Sequence, residues 1–251
     1  MEDSVEVEGI QVLADGASQQ VGEVCTEEIV RIFLNDRHCS NLVATPGEYA
    51  ELGAGFIVSE GLARDITKVR LCANEVHVYS QHVLDHGDVA NRTDRNPLPS
   101  PAWIRKRGNK GPCLSAAEVF VVIDGIVSDL WKRTSGAHCS VIYLNDGSDN
   151  GIIARSSDVG RHNSVDKVIG HCVLNGIDLG SCVLGCTGRQ PRDMVEKALN
   201  AGIPMVVTKA SSTNRGIELA RQAGITLVCR VRNGSFWVYS HPWRIKGIGD
   251  W

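Results

Sequence analysis

Residues 103–113, WIRKRGNKGPC, set one cysteine behind four cations: Arg105, Lys106, Arg107 and Lys110 precede Cys113 within a few positions. A thiol near positive charge ionises more readily, and the thiolate is the reactive form. Gly108, Gly111 and Pro112 mark the stretch as a loop. An exposed thiolate on a basic loop suits a sulfur carrier or a nucleophile that visits two partners. The same composition also describes a solvated basic loop with an incidental cysteine.

Three other segments point to anion binding. They are Ser156–Asn163 (SSDVGRHN), Thr187–Arg192 (TGRQPR) and Lys209–Arg215 (KASSTNR). Each follows an expected strand (151–155, 181–186 and 203–208) and precedes an expected helix (162–175, 192–200 and 214–222). A helix start offers free N–H groups and positive dipole charge. In an open α/β sheet such loops gather at the carboxyl edge, where ligands bind. Together they suggest a phosphate-bearing ligand held by Gly160, Arg161 and His162, by Thr187, Gly188 and Arg189, and by Lys209 and Ser211. The plainer alternative is that Ser, Thr and Asp only cap the helices, which would not require Arg161, Arg189 and Lys209. His162 and His138 each read as surface histidines or as members of a site. No G-x-S-x-G elbow supports a hydrolase triad.

The elements that must position these residues follow from periodicity and turn signals. Residues 1–20 are polar and expected to fray. Residues 27–45 read as two strands joined at Asn35-Asp36. Thr45-Pro46-Gly47 opens a helix carrying Tyr49, Leu52, Phe56 and Ile57, with Gly61 near its end. Residues 67–80 alternate as strands, and 82–100, with Pro97 and Pro99, read as a joint. Residues 126–134 read as helical. Residues 139–144 form a strand, Asn145-Asp146-Gly147 a turn, and 151–155 the returning strand. Strands at 225–231 and 235–240 close the chain. The alternation predicts an α/β fold with a largely parallel sheet. It divides into an N-terminal α+β region (1–100) and an α/β core (101–251).

Composition narrows the classes. The chain has 251 residues and a formal net charge of −3, so binding nucleic acid through overall charge is disfavoured. No apolar run reaches the roughly 18–20 residues of a membrane helix. The acidic start, MEDSVEVEGIQV, lacks the pattern of a secretion signal, so a cytoplasmic location is expected. Nine cysteines is an odd number, and Cys139, Cys172, Cys182 and Cys229 lie in apolar runs. They read as reduced thiols used as small apolar residues. No C-x-x-C occurs, so no zinc site is expected.

Several segments together are similar to the FdhD family of formate dehydrogenase accessory proteins: TPGEYAELGAGFIVSEGL (45–62), TSGAH (134–138), DVGRHNSVDKVIG (158–170), residues 187–212 and residues 227–245. The resemblance implies a cytidine-deaminase-like core, with a mixed and mainly parallel sheet flanked by helices, lacking that family's catalytic zinc. It implies a homodimeric sulfurtransferase that takes persulfide sulfur from a cysteine desulfurase. The sulfur would pass to the molybdenum bis-molybdopterin guanine dinucleotide required by formate dehydrogenase, and a guanine nucleotide could occupy the same site. The family's cofactor-contacting stretch falls on Val231, Arg232, Asn233, Gly234, Ser235 and Phe236, beside Arg230. The residues alone would make this a plain hairpin turn. Where the family usually has C-G-x-C-G, this chain has Lys110-Gly111-Pro112-Cys113-Leu114-Ser115, which leaves Cys113 as the persulfide candidate. Arg105, Arg107 and Lys110 would favour its thiolate. A cofactor-binding chaperone without sulfur transfer is the alternative. A deaminase-type enzyme is a further rival, which the missing zinc ligands disfavour.

Overall fold

The computed structural model describes residues 2–84, 111–145 and 151–248. The cations at 105–110, the joint beyond residue 84 and the Asp146-Gly147 half of the expected turn lie outside the described residues.

The central sheet has six strands: β7 (His138–Tyr143), β8 (Ile152–Asp158), β9 (Val183–Cys186), β10 (Met205–Thr208), β11 (Thr226–Arg232) and β12 (Ser235–Ser240), in the order β12-β11-β10-β9-β7-β8. Only the β9–β10 and β10–β11 pairings are parallel. The β11–β12, β7–β8 and β7–β9 pairings are antiparallel. The expected mixed character is observed, and the expected parallel majority is corrected: three of the five pairings are antiparallel. Helical crossovers join β8, β9, β10 and β11 through α4 (Arg161–Leu174), α5 (Arg192–Ala201) and α6 (Asn214–Ala223). Connections too short for a crossover make β7–β8 and β11–β12 antiparallel, and β7, lying between the like-directed β8 and β9, is antiparallel to both.

Both faces of this sheet are covered. Helices α4, α5 and α6 supply Val165, Ile169, Met194, Leu199 and Leu219 to one apolar cluster. Helix α2 (Ala116–Asp124) packs Val119 and Val122 into a second cluster on the other face. Sequence periodicity did not single out α2. Its capping box was nevertheless legible: Ser115 Oγ accepts from Glu118 N, and Glu118 Oε2 accepts from Ser115 N at 2.7 Å. A short helix, α3 (Asp129–Thr134), precedes β7.

The N-terminal region carries β3 (Glu28–Leu34), β4 (Arg37–Ala44), β5 (Lys68–Cys72) and β6 (Glu75–Tyr79) in the order β4-β3-β6-β5, with α1 (Tyr49–Ser59) against them. Every residue of α1 from Leu52 to Ser59 is buried. Its apolar, glycine-rich sequence fits a helix enclosed on all sides, because α4 covers the face turned away from the small sheet. A Cβ on Gly55 would overlap the Asp166 carbonyl, and one on Gly170 would overlap the Glu51 carbonyl. These two glycines let the helix backbones touch and seat the N-terminal region on the core.

Residues 4–20 are not frayed, which corrects that expectation. They form an antiparallel ribbon, β1 (Ser4–Leu13) and β2 (Gly16–Cys25). Val5 and Val7, then Ile10 and Val12, alternate along β1, and Ala14-Asp15 form the two-residue turn between the paired Leu13 and Gly16. Arg133 of α3 holds its root through Asp3 at 3.0 Å and through Glu23.

Candidate functional site

The strand directions bring the three anion-ready loops to one edge of the central sheet. Thr187, after β9, accepts through Oγ1 from Cys139 N at 3.1 Å and lies 3.0 Å from His138 Nδ1. Gln190 N donates to Ser211 O at 2.9 Å, and Arg230 N donates to Ala210 O at 2.7 Å. The loops after β8, β9 and β10 and the bulged end of β11 therefore form one continuous rim.

The first loop is shorter than the sequence implied. Strand β8 runs to Asp158, so Ser156, Ser157 and Asp158 belong to the strand. Asp158 is fully buried and serves the fold. It accepts from Thr45 N at 3.1 Å, Gly160 N at 2.8 Å and Asn163 Nδ2 at 2.9 Å, and pairs with buried Lys167 at 2.9 Å. Gly160 is left as the N-cap of α4, and no side chain caps that helix. Helix α5, which begins after Pro191, also lacks a side-chain cap. Only α6 is capped, by the Thr213 hydroxyl, which accepts from Gly216 N. The capping interpretation thus applies to one loop in three.

Unsatisfied polar atoms collect around the two uncapped starts. Arg161 Nε, Arg192 Nε and Gln190 Oε1 are buried and find no hydrogen-bond partner among the described residues. Gln190 is fully buried, and its amide nitrogen donates to Gly188 O at 3.1 Å. Gly188 packs on the stem of Arg161: a Cβ there would stand 3.0 Å from Arg161 Cβ. His162 Nε2 lies 3.2 Å from Asp193 Oδ2. The His162 ring and, less strongly, the Arg161 charge hold the Asp193 carboxyl down at about 2, against burial. Burial, then the Arg161 charge, push His138 below the ordinary histidine value, against the pull of Asp158. His138 and His162, which are distant in sequence, thus share one electrostatic environment. Buried donors without acceptors beside two open helix starts are chemistry for an anion. Arg189, Lys209 and Ser211 are exposed on the same rim.

The β11–β12 hairpin closes the rim. Asn233 and Gly234 both have positive φ, 52° and 72°, the backbone of a two-residue hairpin turn. Arg230 sits at a bulge with φ 55°, and its guanidinium lies 5.8 Å from the centre of the exposed Trp237 ring. Arg232 and Ser235 are exposed. Val231 is fully buried in the second apolar cluster, and Phe236 packs edge-on against Phe120 at 5.8 Å. These two side chains hold the hairpin down, while the guanidinium groups and the turn remain open to solvent.

Cys113 is exposed, but it stands at the opposite edge of the sheet. Leu114 N donates to Arg244 O at 2.9 Å, and Lys246 N donates to Leu114 O at 2.7 Å. Those partners follow β12, beside the start of β11 at Thr226. Strand β11 spans Thr226–Arg232, so the two edges are about 20 Å apart at roughly 3.3 Å per residue. The sequence expectation that Cys113 meets the cofactor loops directly is not met within one chain. Arg192, Gln190, Asp193 and Arg244 were absent from the residues the sequence assigned to the site. The first three lie in or beside a loop the sequence did identify. Arg244 is 131 positions from Cys113, and no local pattern connects them.

The other cysteines behave as the sequence suggested. Cys139, Cys172, Cys182, Cys186 and Cys229 are buried, whereas Cys72 and Cys113 are exposed. Burial pushes the Cys172, Cys186 and Cys229 thiols up to about 12 and the Cys182 thiol to about 11. Brief alkylation of the native protein at neutral pH should therefore modify Cys113 and Cys72, with the five buried thiols reacting only after unfolding. Peptide mass spectrometry reads the pattern, and labelling of Cys186 or Cys229 as fast as Cys113 would contradict it.

Comparison with known proteins agrees with this architecture. Residues 25–246 match the model of the FdhD/NarQ family. The chain is 30% identical over 219 residues to protein FdhD of Methanocaldococcus jannaschii, covering 86% of this chain and 88% of that protein. It is 32% identical over 237 residues to sulfur carrier protein FdhD of Sulfolobus acidocaldarius, covering 88% and 90%. A crystal structure of a formate dehydrogenase accessory protein from Desulfotalea psychrophila superposes with a TM-score of 0.80 at 27% identity, covering 97% of this chain and all of that one.

Proposed function

The chain belongs to the FdhD/NarQ family, and from that premise we propose that it is a cytoplasmic sulfur carrier for formate dehydrogenase maturation, with Cys113 as its acceptor. The Cys113 thiolate attacks the outer sulfur of a persulfide on a cysteine desulfurase. A new S–S bond forms on Cys113, the donor's S–S bond breaks, and the donor cysteine leaves as a thiolate. The outer sulfur would then go to the molybdenum of the bis-molybdopterin guanine dinucleotide, the substrate of this transfer: the S–S bond on Cys113 breaks, Cys113 leaves as a thiolate, and the two electrons that reduce the sulfane sulfur to a sulfido ligand would come from the molybdenum, which is oxidised from Mo(IV) to Mo(VI). The open position of Cys113 is the observation that carries the reading, since a visiting thiol must be reachable.

The dinucleotide suits the loop rim. Its phosphates are the acceptors that Arg161 Nε, Arg192 Nε and the uncapped starts of α4 and α5 lack, and Arg189, Lys209, Arg230 and Arg232 add charge around them. Because Cys113 lies at the other edge, the two sites fill independently. A homodimer offers a way to bring the cysteine of one copy to the cofactor of its partner. The same separation, with a single cysteine in the loop, favours the second reading, a chaperone that binds the cofactor without transferring sulfur.

One experiment separates the two. The protein is incubated with a cysteine desulfurase and cysteine, and its intact mass is measured alongside guanine nucleotide binding by calorimetry. A carrier gains one sulfur atom on Cys113 and binds the nucleotide. Nucleotide binding without a mass gain identifies the chaperone. Arg161→Ala should weaken nucleotide binding about tenfold, the scale of one lost charge-assisted contact, while leaving the mass gain intact.

A further inference from the structure

We propose that Arg244 is the positioning residue for the sulfur on Cys113, its Nε–H receiving the terminal persulfide anion; the inference rests on the carrier reading above. Arg244 is only 4% exposed. Its Nη1 donates to Gly224 O and Thr226 Oγ1, both at 3.0 Å, and its guanidinium carbon lies 5.7 Å from the Trp243 ring centre. Among the described residues no carboxylate pairs with it. Its Nε is buried and finds no acceptor among the described residues. An arginine cannot shed its charge inside a protein, so this burial leaves a cation and a donor uncompensated.

Gly111 of the cysteine loop packs on that donor. A Cβ on Gly111 would stand 3.2 Å from Arg244 Nε. Two residues later comes Cys113, with its Sγ 4.0 Å from Gly111 O. The Leu114–Arg244 hydrogen bond and the Leu114–Ile245 bridge fix the loop to this segment. Burial pulls the Arg244 guanidinium below its ordinary pKa, and the Cys113 sulfur is the charge that acts in the opposite direction. Among the described residues, Lys246 near this segment is already occupied: it lies 3.4 Å from Glu118, which also accepts from Ser115 N. A persulfide carries its negative charge on the outer sulfur, one S–S bond of about 2 Å beyond Sγ. That extension puts the charge beyond the cysteine stem, on the loop whose Gly111 packs against Arg244 Nε.

The test uses the full chain, loaded by a desulfurase with cysteine and freed of donor. The half-life of the Cys113 persulfide against glutathione is followed by intact mass. Arg244→Gln removes the charge and Nε. Gly111→Ala keeps Arg244 and both Nη1 bonds while placing a methyl group over Nε, so it controls for misfolding. Both variants should lose the persulfide about tenfold faster than wild type. Arg244→Gln should also lower the rate of Cys113 alkylation by anionic iodoacetate relative to neutral iodoacetamide, a charge signature that a purely structural role would not move. Persulfide half-lives within twofold of wild type in a folded Gly111→Ala protein, or an unchanged reagent ratio in Arg244→Gln, overturn the inference while leaving the carrier reading standing. A wild-type chain that never gains sulfur overturns the carrier reading itself.

Discussion

Cys113→Ser is expected to abolish sulfur loading and, with it, formate dehydrogenase activity in a host that depends on this chain for maturation. A hydroxyl at neutral pH is neither ionised nor able to hold a sulfane sulfur, so the effect is all or none. The fold should be indifferent to the change, because Cys113 is exposed and its hydrogen-bonding contact to Gly111 O, at 4.0 Å, is weak. Guanine nucleotide binding should also survive, since the loop rim lies at the other edge of the sheet. Activity assays in a deletion host, with nucleotide titration of the purified variant, separate these effects. Full maturation by Cys113→Ser would remove the carrier role and leave the chaperone.

Lys197→Met should destabilise the fold by about 3–5 kcal/mol, the scale for breaking a buried ion pair by removing one partner. Lys197 lies between α1, α4 and α5. Its ammonium stands 2.9 Å from Asp166 and 2.8 Å from Glu60, and it donates to Ser59 Oγ at 3.0 Å. Burial disfavours its charge, yet the carboxylates of Asp166 and Glu60 hold its pKa above the ordinary lysine value. A raised folded-state pKa means that this contribution is fully present at neutral pH and is lost only as pH rises through the lysine range. Without Lys197, two carboxylates face each other inside the seam between the N-terminal region and the core. Urea unfolding at pH 7 measures the loss, and a change under 1 kcal/mol would mean the seam does not depend on the pair.

Much of the architecture was legible from short stretches of chain. Asn35-Asp36 marked the β3–β4 turn, Gly202 and Gly224 marked helix ends, and apolar runs marked β9, β10 and β11. These are local signals, set by backbone conformation and side-chain period within a few residues. The ribbon β1–β2 escaped because its many polar residues mask the alternation, although Asp15-Gly16 is a turn signal. Helix α2 carries its start signal in Ser115 and Glu118, but a helix of 9 residues is too short for its period to stand out. The antiparallel majority of the pairings was harder to see, because strand pairing depends on contacts between segments far apart in sequence.

The same distinction runs through the site. Sequence alone determined the reactive residue types, the basic loops at strand ends and the kinship carried by DVGRHNSVDKVIG, since each lies within one contiguous segment. Tertiary structure decided which of them meet. It gathered His138, Arg161, Thr187 and Asp193 at one rim, gave Asp158 and Lys167 to the fold, and set Cys113 at the far edge over Arg244. Burial and pairing are properties of the folded arrangement, and a side chain's charge acquires its partner only when the chain brings distant segments within a few ångströms.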